Sequence, residues 1–140
     1  MFLLDTNVIS ELRVGKPNVS AEVIRWAASV PASRLYLSSI TTLEIEMGVL
    51  QLELRTPPQG AAIRAWFQGV RKAFAGRILG FSEEASILCA SMHLPNPRSS
   101  RDAMIAAIAR EHGFTVVTRN ESDFVGTGVS VINPWVHGST

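Results

Sequence analysis

This chain is poor in cysteine: Cys89 is the only one in 140 residues. No disulfide can close within it, which fits a reducing compartment, and the apolar helical neighbours of Cys89 make it a small core residue. No apolar run approaches the ~20 residues of a membrane span. The N-terminal apolar run breaks at Asp5, too early for a signal peptide. Charge of one sign is also missing. The net charge is +1, so only a local basic rim, not a global field, could favour nucleic acid. Repeats and low-complexity segments are absent. These absences lead to the expectation of a soluble, cytoplasmic protein with no membrane association.

What is present is a core. Apolar residues make up 46% and charged residues 18%, the balance of a globular chain rather than a disordered one. At 140 residues the length suits one domain. Residues 1–4, 35–38, 77–81, 114–118 and 129–132 read as short apolar strands. Helical patterns fall between them, over residues 6–13, 19–30 (capped by Asn18), 43–55, 60–75, 82–94 and 101–110. Pro57-Pro58 reads as a break between two helices, and Gly113 as a helix end. Strands alternating with helices predict an α/β fold, a three-layer α/β/α sandwich around a mostly parallel sheet of four to five strands. The domain spans 1–136, and 137–140 are expected to form a tail.

The stretch Met1-Phe2-Leu3-Leu4-Asp5-Thr6-Asn7-Val8-Ile9 organises the rest. Asp5 stands where the first strand ends, the edge at which open α/β sheets bind ligands. Thr6 or Asn7 can cap the next helix, and Asp5 itself could be no more than a cap. Other acids fall at comparable places. Glu44 lies on the first turn after strand two, Asp102 opens the helix before strand four, and Asp123 follows strand four, three residues after Asn120. Each has a plain alternative. Glu44 matches a capping box with Thr41, Asp102 a first-turn acid, and Asp123 a turn acid. Those alternatives do not explain Glu44 among Leu43, Ile45, Met47 and Val49, because Glu rarely buries unpaired. Gly48 beside it leaves room for another group. Glu44 is therefore expected to face a cleft that holds a cation.

Carboxylates gathered without histidine or cysteine suit a hard ion, Mg²⁺ or Mn²⁺ rather than Zn²⁺. Such sites serve phosphate chemistry. The helix over 43–54 is apolar too widely for one buried stripe, which predicts a homodimer and further docking surface near the cleft.

The segments Leu-Leu-Asp5-Thr-Asn-Val-Ile-Ser-Glu-Leu, Ser-Ser-Ile-Thr-Thr-Leu-Glu44-Ile-Glu-Met-Gly-Val, Asp102-Ala-Met-Ile-Ala-Ala-Ile-Ala and Val-Thr118-Arg-Asn120-Glu-Ser-Asp123-Phe resemble those of PIN-domain proteins. With the closing Ile132-Asn133-Pro134-Trp135 they are most similar to VapC-type toxins of the FitB subgroup. The resemblance runs from residue 1 to about 136. It implies a metal-dependent ribonuclease, the toxin of a toxin–antitoxin pair, with a cognate antitoxin and an RNA substrate as partners and a tendency to dimerise. The family's metal-binding acids fall on Asp5, Glu44 and Asp102. At the fourth family position this chain has Asn120, with Asp123 three residues on. Asp123 is expected to assist catalysis, while Thr6, Thr118 and Asn120 orient the ligands. Two other readings remain: a PIN-like module that binds RNA or a partner with weakened catalysis, and a Mg²⁺-dependent phosphatase of the haloacid-dehalogenase type. The latter wants a second aspartate two residues after the first, where this chain has Asn7.

Overall fold

Leu3 and Leu4 are neighbours on one strand, and both are fully buried. Successive strand residues point to opposite faces. A strand apolar at both must therefore be covered on both sides, as parallel sheets are. The computed structural model of the chain, which describes residues 1–137, has this arrangement. The strands β1 (Phe2–Leu4), β2 (Leu35–Ser38), β3 (Ile78–Leu79), β4 (Thr115–Val117) and β5 (Val131–Ile132) form one sheet in the order β3-β2-β1-β4-β5. Every neighbouring pair is parallel. Leu3 stands beside Val116 and Leu4 beside Val117, so the central pair feeds both faces in register.

On the Leu4 face lie α1 (Thr6–Glu11), α2 (Ala21–Ala28), α3 (Ser39–Arg55) and α4 (Pro57–Ala73). They bury Val8, Trp26, Ile45, Val49 and Phe67 against Leu4, Leu37 and Val117. On the Leu3 face lie α5 (Glu83–Ser91) and α6 (Ser100–His112), which bring Ala85, Cys89, Ile105 and Ile108 against Leu3 and Val116. The short α7 (Pro134–His137) closes the described chain against α2. The result is the three-layer sandwich the alternation predicts, with all five strands parallel.

Several boundaries differ from the sequence reading. The helix after β2 begins at Ser39, because Ser38 caps it through its hydroxyl to the Thr41 N–H at 3.1 Å. Glu44 therefore lies in the second turn, and the Thr41–Glu44 capping box does not form. Pro57 and Pro58 open α4 rather than separating it from α3. A proline in the first turn forfeits only an N–H that had no helical partner. Asn18 does not cap α2. It takes a left-handed conformation in the loop, and Ser20 caps instead. β3, β4 and β5 are shorter than their apolar runs. α5 stops at Ser91 rather than near Leu94. Of the tail expected at 137–140, His137 ends α7 and the rest lies outside the described residues.

The α3–α4 hairpin is locked by Arg64, whose guanidinium reaches Glu46 at 2.9 Å and Glu53 at 3.0 Å. The two helices come close at Gly60, where a Cβ would lie 2.6 Å from the backbone N and Cα of Glu53. No rotamer relieves a clash with backbone. Gly60→Ala is expected to lower stability by about 1–3 kcal/mol, despite alanine's better helix propensity. A lower urea midpoint at unchanged slope checks this. An unshifted midpoint would show that the hairpin can open without cost.

Candidate active site

A parallel sheet delivers every strand's carboxyl end to the same edge. There β1 ends in Asp5, β2 in Ser38, and β4 runs into Thr118. Asp5 continues the ladder by donating its N–H to the Val117 carbonyl at 2.9 Å. It then turns the chain into α1, accepting the Thr6 N–H on Oδ1 at 2.8 Å. Asp5, rather than Thr6 or Asn7, is thus the N-cap. Capping uses only one carboxylate oxygen. The other, Oδ2, accepts the Thr118 hydroxyl at 2.8 Å.

Thr118 is fully buried. Its Oγ1 accepts from the Asn120 N–H at 3.0 Å and from Asn7 Nδ2 at 3.3 Å. A hydroxyl has one proton and two lone pairs. With both lone pairs occupied, the proton is directed to Asp5. Asn120 contributes here through its backbone, and its side chain is exposed. The Asn7 amide is engaged at both ends: its Oδ1 accepts the Arg119 N–H at 3.3 Å. Asn7 is a brace between α1 and the segment after β4, not the partner of Asp5 that a phosphatase of the haloacid-dehalogenase type needs.

A second relay positions Glu44. The Thr6 hydroxyl donates to Glu44 Oε1 at 2.6 Å. Thr41 Oγ1 lies 3.2 Å from Thr6 Oγ1 and can donate to it in turn. Thr41 and Ser38 are both fully buried, and in sequence they read only as helix starters. The part Thr41 plays in the relay depends on α1 and α3 meeting, which no local pattern signals. Arg101, likewise unremarked in sequence, places Nη1 3.4 Å from Glu44 Oε2.

Asp102 sits in the first turn of α6, where the helix dipole favours an acid. Electrostatics show which acids face one another. Burial raises the Asp5 pKa, the hydrogen bonds from Thr118 and Thr6 pull it back, and the charges of Asp102 and Glu44 raise it further. Burial also raises Asp102, with Asp123 and Glu44 adding to it and the nearby Ser99 hydroxyl opposing. Asp5, Glu44 and Asp102 therefore share one field, and Asp123 reaches it through Asp102. Asp123 itself is exposed on a turn of 3₁₀ helix, Glu121–Phe124, which buried Phe124 anchors.

Beside Glu44, but without Asp5, Asp102 or Asp123 in its lining, opens a cleft of about 340 Å³, lined by Thr6, Arg13, Glu44, Gly48 and Trp66 among others. A Cβ on Gly48 would meet nothing within 4 Å, so this stretch of α3 is open. Among the described residues, no three carboxylate, histidine or cysteine side chains stand close enough to grip one ion together as they are placed. The donor set still suits a hard cation. Its members are all carboxylates, two have raised proton affinity, and a nearby positive charge would relieve their repulsion.

The sign of the Asp5 effect is fixed by linkage. Asp5 holds its proton more tightly folded than unfolded. Its contribution to stability is full below the ordinary value of 3.8 and is lost as pH rises through the raised folded value. At neutral pH the charged form is a burden that Asn removes. Metal-free Asp5→Asn is expected to melt a few degrees above the parent, on the order of 1 kcal/mol. The gap should narrow as pH falls toward 3.8. A variant that melts lower at neutral pH would mean that the hydrogen bonds outweigh burial.

Residues 2–127 match the PIN domain family. Toxin FitB of Neisseria gonorrhoeae is 36% identical over 140 residues, covering 96% of this chain and 99% of that one. VapC ribonuclease Y4jK of Sinorhizobium fredii is 38% identical over 145 residues, covering 96% and 98%. A solved structure of FitAB bound to a DNA fragment superposes with a TM-score of 0.84 at 36% identity, over 96% of each chain. Together with a carboxylate site at the edge of a parallel five-stranded sheet, these matches show that the chain belongs to the PIN domain family, alongside FitB and VapC.

Proposed function

We propose that this protein is a ribonuclease that cleaves RNA phosphodiesters with Mg²⁺ or Mn²⁺, and that it is the toxin of a toxin–antitoxin pair. The observation that carries this reading is the carboxylate edge itself: the Thr6 N–H and hydroxyl join Asp5 to Glu44, and Arg101, next to Asp102, reaches Glu44. The chain's relatives over nearly its whole length include a toxin and a ribonuclease by name. Asp5, Glu44 and Asp102 would hold the ion, and when bound it supplies positive charge to the phosphate and an activated water.

The chain's own groups do the positioning. Thr118 and the Thr6 N–H fix both oxygens of Asp5. The Thr6 hydroxyl fixes one oxygen of Glu44. Preset donors of this kind keep ligands oriented. Asp123 adds negative potential at Asp102. It acts through water or on a weaker second ion.

Asp5→Asn and Asp102→Asn should each abolish cleavage of an RNA substrate while the circular dichroism spectrum stays native. Undiminished cleavage by either pure variant would sink the assignment. Asp123→Asn should raise the Mg²⁺ concentration needed for activity with little change in melting temperature. If Asp123 is instead only a turn residue, melting falls by a few degrees, as ~1 kcal/mol does in a small domain, and the Mg²⁺ requirement stays put.

The apolar surface supports the assembly part of the reading. Ile45 and Val49 turn inward on α3, while Leu43, Met47, Leu50 and Leu54 are exposed along its other side, Leu54 at 85%. Spacings of four, three and four make this a continuous stripe. It is the face proposed to pair two copies of the chain, with the antitoxin docking on apolar surface near the cleft. Sedimentation at micromolar concentration should show a dimer that Leu50→Glu dissociates. A monomeric parent protein would count against the dimer and leave the nuclease reading standing.

A further inference from the structure

Both oxygens of Glu44 are engaged. Oε1 accepts from Thr6, and Oε2 faces the Arg101 guanidinium at 3.4 Å. Arg101 immediately precedes Asp102 in the first turn of α6, so one residue of the acidic site carries its own cation beside it. The contact is long, and the Arg101 side chain is 48% exposed. Its other polar neighbour is the Met47 sulfur at 3.9 Å. Exposed pairs of this kind are worth roughly 0–1 kcal/mol, so a divalent ion attracted by three carboxylates displaces it readily. A guanidinium cannot give up its charge. Once released from Glu44 it stands at the rim of the site, at a helix N-terminus where anions are favoured, with a planar fork that matches a phosphate.

We propose that Arg101 is an exchangeable clamp: it holds Glu44 while no ion is bound and turns to an RNA phosphate when an ion takes Glu44. Metal loading and RNA binding are thereby coupled through one side chain. This rests on the proposed metal-dependent ribonuclease. Arg101 is a positioning residue in the metal-free state and a substrate contact in the loaded one. The arrangement accounts for an otherwise odd feature, a cation within reach of a carboxylate that the same site needs for another cation.

The test uses the whole chain and Arg101→Gln, a change at an exposed position that leaves the core untouched. Mn²⁺ binding to RNA-free protein is read from the free-ion paramagnetic resonance signal. The variant should bind Mn²⁺ about two- to fivefold more tightly, the equivalent of an exposed pair. RNA binding is then measured with a single-stranded oligonucleotide, once in chelator and once in Ca²⁺ under conditions shown to give no cleavage product. In Ca²⁺ the variant should bind more weakly, with a salt slope shallower by about 0.7 for one lost phosphate contact. In chelator, variant and parent should bind alike, because there Arg101 is on Glu44. Equal or weaker Mn²⁺ binding by the variant overturns the proposal. So does an RNA defect of the same size with and without Ca²⁺, which would make Arg101 a constant surface charge. A parent protein that binds Mn²⁺ and cleaves RNA while the variant matches it in every arm defeats this inference alone. A parent that does neither defeats the ribonuclease reading and this with it.

Discussion

The structure depends on one carboxylate being taken out of water at the end of the central strand. Asp5 is 6% exposed, and among the described residues no basic side chain pairs with it. Such burial is tolerable only if both oxygens find donors. One donor is local, the Thr6 N–H of the helix that Asp5 caps. The other, Thr118, comes from 113 residues away in sequence and arrives because β4 runs parallel beside β1. Everything that fixes β4 against β1 therefore also fixes the site. The Leu3–Val116 and Leu4–Val117 neighbours, buried on opposite faces, are the apolar half of that arrangement.

Around that carboxylate the chain uses neutral hydroxyls and backbone N–H groups rather than salt bridges. Thr6, Thr118, Thr41 and Ser38 are small, and three of them are fully buried. A hydroxyl orients a carboxylate without cancelling its charge, so the negative field survives for a visiting cation. The cost is chiefly burial, with repulsion from neighbouring carboxylates adding to it, and both raise the proton affinity of Asp5 and Asp102. Strong ion pairs are placed elsewhere. Arg64 joins α3 to α4 through Glu46 and Glu53, and Lys16 pairs with Glu11 at 3.0 Å in the loop after α1. The closer ion pairs thus lie in the scaffold, while the sheet edge gathers like charges and holds the longer Arg101–Glu44 contact.

α3 shows how one helix can serve two surfaces. It supplies Thr41 and Glu44 to the site, Ile45 and Val49 to the core, and Leu43, Met47 and Leu50 to solvent. A helix with apolar residues on nearly every side has no single stripe to face one sheet. That width was readable from residues 43–54, and the structure shows which part of it is left exposed.

The sequence by itself determined the alternation of strands and helices, the parallel sheet, and the places of Asp5, Glu44, Asp102 and Asp123 relative to strand ends. These follow from apolar periodicity and from the rule that parallel strands end at one edge, both of which are properties of short segments. It also carried Leu35–Ser38 to the residue, because a β-branched-poor but wholly apolar run between Arg34 and a serine cap has clear ends. Only the tertiary structure decided what those segments do to one another. Pro57 reads equally well as a break or as a helix start, and the choice rests on α4 folding back so that Gly60 meets Glu53. Thr41 reads as a cap until α1 brings Thr6 to it. Asn7 reads as a helix starter until β4 places Thr118 beside it. Arg101 is one more helix-start residue until α6 is laid against α3. The last three of these roles are hydrogen bonds or an ion pair across 35 to 111 residues of sequence, and such a contact exists only once the apolar layers have closed and set the distance.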